Sequence, residues 1–280
     1  MNRSIHLPEP RSPSLDRRQF LTGLSGLAGI AAASCLLPQA SAKAQLVAAD
    51  DPRLHTEKVH YPGHAGEVLA YLARPRDDQK RPAVVVIHEN RGLTPHIQDV
   101  ARRLALEGFM ALAPDALSPL GGTPTDADKA REMIGQLDGP STTKNFVAAV
   151  QYLKTHPLST GKAGCTGFCW GGAMTNQVAV NCPDLIAAVP YYGMQPALED
   201  VPKIKASLLL HYAGEDERID KGIPAFEEAL KKASVEYQIY VYPGAKHAFN
   251  NDTSPSQYNK EAADQAWKRT IEFFKAKLRT

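Results

Sequence analysis

The stretch "CTGFCWGGAM", Cys165 to Met174, joins a strand-like run, "KAGCTGF" (162–168), to a helix-like run, "WGGAMTNQVAVN" (170–181). A strand that reverses directly into a helix forces its turn residue into a strained conformation. The two arms also come close enough to need small neighbours. Gly167 and Gly171 provide them around Cys169, in a Gly-x-Cys-x-Gly spacing where hydrolases usually carry serine. The strain points the Cys169 side chain out over the sheet. The helix start beneath it offers N–H groups and a positive dipole end, which favour a thiolate and the oxyanion formed by its attack. Free cysteines are more often inert core residues. That is the reading for Cys165, inside the strand, and Cys182, beside Pro183 at a helix end. Cys169 reads as a nucleophile, provided a base and an orienting acid exist.

Working outward, strands and helices alternate. "EKVHYPGHAGEVLAYLARP" reads as two strands around Pro62-Gly63, and "AVVVIHEN" as a strand buried on both faces. "TPHIQDVARRLALEG" puts Ile97, Val100, Ala101, Leu104 and Ala105 on one helical face, with Gly108 as a stop. "FMALAPD" is a short strand, and "DADKAREMIGQL" and "TTKNFVAAVQYLKTH" are helices, the second capped by Ser141 or Thr142. After the Cys169 turn come "IAAVPYYG" and a helix-poor loop. "ASLLLHYAGED" and "EYQIYVYPG" are strands, separated by the helix "GIPAFEEALKKAS", and a terminal helix runs through "SQYNKEAADQAWKRTIEFFKAKL". This order predicts an α/β fold with a mostly parallel central sheet and helices on both faces. Ligands then bind at the carboxyl ends of the strands, where "APDALSPLGGTP" (113–124) is a candidate lid or rim.

The amino terminus differs from the rest. Arg17 and Arg18 precede a small-residue-rich apolar stretch, Leu21 to Leu37, followed by Ala40-Ser41-Ala42. A basic head, an apolar body and an A-x-A site in that order look like a twin-arginine export signal over residues 1–42. The stretch falls short of the ~20 strongly apolar residues of a stable membrane span. Cleavage after Ala42 or Ala44 would leave a linker, 43–54, and one domain, 55–280, with twin-arginine machinery as a partner and a periplasmic or secreted destination. Cys35 fits lipid attachment poorly after Ala32-Ala33-Ser34. The leader holds four arginines against Glu9 and Asp16, so its removal takes the formal charge from +2 to zero. No basic cluster remains to suggest nucleic acid. Of the four cysteines, only Cys165, Cys169 and Cys182 would remain after that removal, an odd and small number that excludes a disulfide scaffold. A monomer acting on a small molecule is expected.

A cysteine nucleophile needs a base and a group to orient it. Elbow-type hydrolases order these as nucleophile, acid, histidine. Beyond Cys169, "YAGEDERID" and "YPGAKHAFN" place Asp216 and His247 in that order, each just past a strand. Asp216 is preferred over Asp220, and Glu215 and Glu217 read as solvated. His60, His64, His96 and His156 read as surface residues. In "VIHENRG", Glu89 follows a buried strand at the same edge, as a solvated loop residue or a group of the site. The Asn90 and Trp170 N–H groups are placed to share an oxyanion.

These motifs, "GFCWGGA", "VPYYG", "GEDERI" and "GAKHAFN", resemble the dienelactone hydrolases (carboxymethylenebutenolidases) from about Thr56 to the last helix. The resemblance implies a single-domain α/β-hydrolase fold. It implies Cys169 as nucleophile, His247 as general base, Asp216 as orienting acid and Glu89 as the carboxylate beside the thiol. No cofactor and no metal is implied. Members acting on dienelactone hold its carboxylate with arginines, one of them four residues past the histidine. Here that position is Asn251. Arg91 and Arg131 are candidate replacements, and the expected substrate widens to an ester or lactone. Three rivals are weighed: a non-catalytic small-molecule binding protein on the same fold, a general carboxylesterase or thioesterase, and a redox or metal role for the thiols. Metal is disfavoured because His88-Glu89 lacks a second histidine at helical spacing.

Overall fold

The protein is described here by a computed structural model covering residues 46–64 and 66–279. The export leader expected at 1–42, with its cleavage site and Cys35, lies outside the described residues. The sheet opens on an antiparallel hairpin of β1 (Leu54–Gly63) and β2 (Gly66–Pro75). Pairing persists through Pro62 opposite Glu67 to Gly63 opposite Gly66, so the strands do not break at Pro62-Gly63 as expected. Pro62 is tolerated within β1 because β1 lies at the edge of the sheet.

Alternation follows: β3 (Arg81–Ile87), α1 (Pro95–Leu106), β4 (Met110–Pro114), α2 (Ala127–Gly135), α3 (Gly139–Thr155) and β5 (Ser159–Phe168). Then come α4 (Trp170–Asn181), β6 (Ala187–Tyr191), β7 (Ser207–Ala213), α5 (Glu217–Asp220), α6 (Ile223–Lys232), β8 (Tyr237–Tyr242) and α7 (Lys260–Leu278). The strand order is β1-β2-β4-β3-β5-β6-β7-β8, parallel from β4 to β8. This is an α/β-hydrolase-type sheet with helices on both faces.

Continuous apolar runs mark the strands because both faces are covered. Along β3, Ala83, Val85 and Ile87 face one core with α3, α4 and α6. Val84 and Val86 face the other, with α1 and α7. The predicted face of α1 is buried throughout. Among the described residues no helix is long and apolar enough to cross a membrane.

Local details depart from expectation where side chains compete for the same backbone groups. Asp138, not Ser141 or Thr142, caps α3: its carboxylate accepts from the Ser141 N–H at 2.8 Å, with Pro140 in the first turn where its missing N–H is harmless. The Thr142 hydroxyl instead donates back to the Asp138 carbonyl. Helix α7 starts four residues later than its sequence run, because Asn259 accepts from the Ala262 N–H and caps it there. His96 is buried, not a surface residue. It lies on the packed side of α1, with Nδ1 3.2 Å from Asp252 Oδ1. Burial pushes the Asp252 carboxyl up, but His96 and Arg103 outweigh it and hold it at about 2. Part of the expected linker is also anchored. Buried Asp99 accepts from the Leu46 and Val47 N–H groups, Arg102 Nε donates to the Val47 carbonyl, and the Val47 side chain enters the α1 core.

Candidate active site

The chemistry-bearing residues lie where β3, β5, β7 and β8 end. Cys169, between β5 and α4, takes φ 57° and ψ −116°, a left-handed conformation that side chains rarely adopt. Its neighbours show why glycine is required. A Cβ on Gly167 would lie 2.2 Å from the Gly171 carbonyl oxygen, and one on Gly171 would lie 2.3 Å from that of His88. The turn is pinned by the Cys169 N–H donating to the Tyr191 carbonyl of β6 at 3.1 Å. The thiol is half-buried and the Trp170 N–H lies against it.

Asp216 and His247 come from neighbouring loops stitched together by backbone bonds, Gly214 N–H to Tyr242 carbonyl and Glu215 N–H to Ala245 carbonyl, each 2.9 Å. His247 Nδ1 faces the buried Asp216 Oδ2 at 2.5 Å, leaving Nε2 as the ring's free nitrogen. Glu215 and Glu217 are exposed, as expected. Among the described residues no hydrogen bond joins the Cys169 sulfur to the His247 ring. Burial, then the negative charge of Glu89, pushes the Cys169 thiol up to about 11, against the opposing pull of the Trp170 N–H and the Arg218 guanidinium. The resting thiol is therefore neutral near pH 7.

Glu89 follows β3 and its Oε2 accepts from Asn251 Nδ2 at 2.7 Å. The Asn251 amide is oriented in turn by the Thr253 N–H and hydroxyl, which both donate to its Oδ1. Burial pushes the Glu89 carboxyl up, while His96, Asn251, His247 and Arg91 pull it down. The preceding His88 is structural. Its Nδ1–H donates to the Glu89 carbonyl at 2.6 Å, its Nε2 accepts from the Ala116 N–H, and its ring stacks on Trp170 at 5.4 Å. The segment 113–124 is a fixed rim: the buried Asp115 carboxylate accepts from the Leu117 and Thr123 N–H groups and the Thr123 hydroxyl. Thr123 Oγ1 also accepts from the Leu93 N–H, tying the rim to the loop after β3.

Arg91 is exposed and its charge reaches Glu89. Arg131 is exposed on α2 and paired with Asp128 at 3.2 Å. Three residues of the site escape a reading of the sequence as nucleophile, acid and base. Asn251 holds Glu89. Arg218, two residues past Asp216, acts on the sulfur. Tyr192, at φ 38°, sets its buried ring 5.1 Å from that of His247. The motifs "VPYYG" and "GEDERI" contain Tyr192 and Arg218, and the Asn251 substitution marks the third, but none of them states a role. Among the described residues no three His, Cys, Asp or Glu side chains gather as metal ligands.

Residues 68–278 match the dienelactone hydrolase family. A "putative carboxymethylenebutenolidase" of Saccharolobus solfataricus is 32% identical over 257 residues, covering 78% of this chain and 98% of that protein. One of the same description from Escherichia coli K12 is 34% identical over 231 residues, covering 76% and 84%. The crystal structure of a dienelactone hydrolase-like promiscuous phosphotriesterase from metagenomic libraries superposes with TM-score 0.73 at 26% identity, covering 80% of this chain and 99% of that one.

Proposed function

Because the chain belongs to the dienelactone hydrolase family, and is thereby a hydrolase, we propose that it cleaves a small ester or lactone through Cys169. The observation that carries this is the strained Cys169 turn at the same sheet edge as the His247–Asp216 pair and Glu89. A thiol held neutral by burial and by Glu89 must lose its proton only when substrate is present. Transfer from Cys169 to Glu89 suits that demand. It turns a neutral thiol beside a carboxylate into a thiolate beside a neutral acid, and so never leaves two negative charges together. His247 is the other acceptor within the site.

The thiolate then attacks the carbonyl carbon, and the oxyanion is held by the Asn90 and Trp170 N–H groups. The carbon–oxygen bond of the ester or lactone breaks, and the leaving oxygen takes back the proton. His247, oriented by Asp216, next removes a proton from water. The hydroxide attacks the thioester, and the acid leaves as Cys169 recovers a proton. A thiolate suits an activated enol ester, whose leaving group departs easily. Arg91 and Arg131 remain proposed contacts for a substrate carboxylate, with Arg91 favoured by its reach to Glu89. Residues 1–42 are proposed as a twin-arginine leader that delivers the 55–280 domain folded to the periplasm or medium.

The test is thiol alkylation followed by assay of an activated lactone. Modification of Cys169 that abolishes turnover supports the reading, and turnover unaffected by complete Cys169 labelling overturns it.

A further inference from the structure

An open cleft lies at the opposite end of the sheet from the Cys169 turn. It measures about 430 Å³ and is lined by Lys80, Arg81, Pro82, Gly108, Thr160, Lys162, Leu278 and Arg279. Arg81 opens β3 and Thr160 lies at the start of β5, so the cleft borders the amino ends of strands whose carboxyl ends carry Glu89 and Cys169. Eight residues separate Arg81 from Glu89, or ~26 Å of extended chain.

Four of the eight lining residues are cationic and none is a carboxylate. Two guanidinium groups converge over Gly108: a Cβ there would lie 2.7 Å from Arg279 Nη2 and 3.7 Å from Arg81 Nη1. Arg279 is held in place by donating to the Glu107 carbonyl at 2.8 Å and by lying 5.4 Å over the Phe109 ring. One edge of Arg81 is taken by Asp77 at 2.5 Å, yet its buried Nε has no hydrogen-bond partner. Like charges held together around a cleft repel. A small anion with several oxygens offsets that repulsion from the open side of the cleft, and the planar Arg fork, presented by Arg81 Nη1 and Arg279 Nη2, matches its geometry.

We infer that this pocket binds a phosphate-class oxyanion through Lys80, Arg81 and Arg279, at a site separate from the hydrolytic one. Such a ligand bridges the end of α7 to the first residues of β3, so binding stabilises the folded chain by mass action.

The experiment is thermal unfolding of the full chain in rising inorganic phosphate, at ionic strength held constant with chloride, alongside a titration with phenyl phosphate. The expected result is a saturable rise in Tm with phosphate that chloride does not reproduce. Arg279→Gln should weaken the apparent Kd at least tenfold and Lys80→Gln several-fold, each with unchanged lactone turnover. A parallel rise with phenyl phosphate extends the site to phosphate monoesters, and a rise with inorganic phosphate alone confines it to the free ion. Absence of a phosphate-specific rise in the wild-type chain, or an equal rise in Arg279→Gln, overturns the proposal.

Discussion

Cys165 and Cys169 sit four residues apart at the end of one strand, and burial raises both thiols, to about 12 and about 11. Burial therefore does not separate them. Cys165 lies wholly inside the core, 3.8 Å from the Thr175 hydroxyl and beside Cys182. Cys169 has left the sheet on a left-handed turn and meets a helix N–H, a carboxylate and a guanidinium. Reactivity at such a strand end is decided by what surrounds the sulfur beyond the apolar core, and that depends on one residue's backbone conformation.

The largest expected effect opposes the two sulfurs directly. Cys169→Ala should lower kcat/KM for an activated lactone by roughly 10⁴-fold, as removal of a nucleophile does. Cys165→Ala should leave kcat/KM within about twofold and lower stability by about 1 kcal/mol through the small cavity it opens. Equal losses from both substitutions would erase the distinction.

Next in size is the histidine pair. Asp216→Asn should preserve the fold while lowering kcat by about 10³-fold, because His247 loses the acceptor that fixes its tautomer. Unchanged kcat would mean that His247 acts without Asp216.

Glu89→Gln sharpens the comparison, since two readouts should move in opposite directions. Removing the negative charge lowers the Cys169 pKa, so alkylation of the resting enzyme at fixed pH speeds up. Loss of a proton acceptor slows hydrolysis by about 10²-fold. In the wild type, alkylation of Cys169 should keep rising with pH well past the range of a free thiol, with a midpoint at about 11. A midpoint near that of an ordinary cysteine would contradict the burial and the Glu89 charge that together hold the thiol neutral.

The smallest expected effect lies away from both sulfurs. Asp138→Ala removes the cap of α3 and should cost about 1 kcal/mol in urea unfolding, with turnover unchanged.

Much of this was readable from the chain itself. The valine run of β3 and the Gly167–Cys169–Gly171 spacing follow from steric and burial rules that act over a few residues. The order of Cys169, Asp216 and His247 follows once each is seen to end a strand. What escaped depends on contacts between distant segments. Nothing local to Asn251 announces a bond to Glu89, 162 positions away. Arg218 lies in the "GEDERI" motif, but its charge on the sulfur shows only once the loop after β7 is placed. Asp138 outcompeted Ser141 as a cap, and His96 was buried by packing that no local pattern specifies. The polar pocket around Arg279 joins residues from both ends of the domain.

The most direct measurement is acid quenching of the enzyme during turnover of a lactone, followed by peptide mapping by mass spectrometry. The account predicts a mass increase equal to the whole lactone on the peptide carrying Cys169, because ring opening leaves nothing to depart. It also predicts that this species accumulates when His247 is replaced by alanine. Steady consumption of lactone with Cys169 unmodified in both proteins, or with the added mass on another residue, would contradict it.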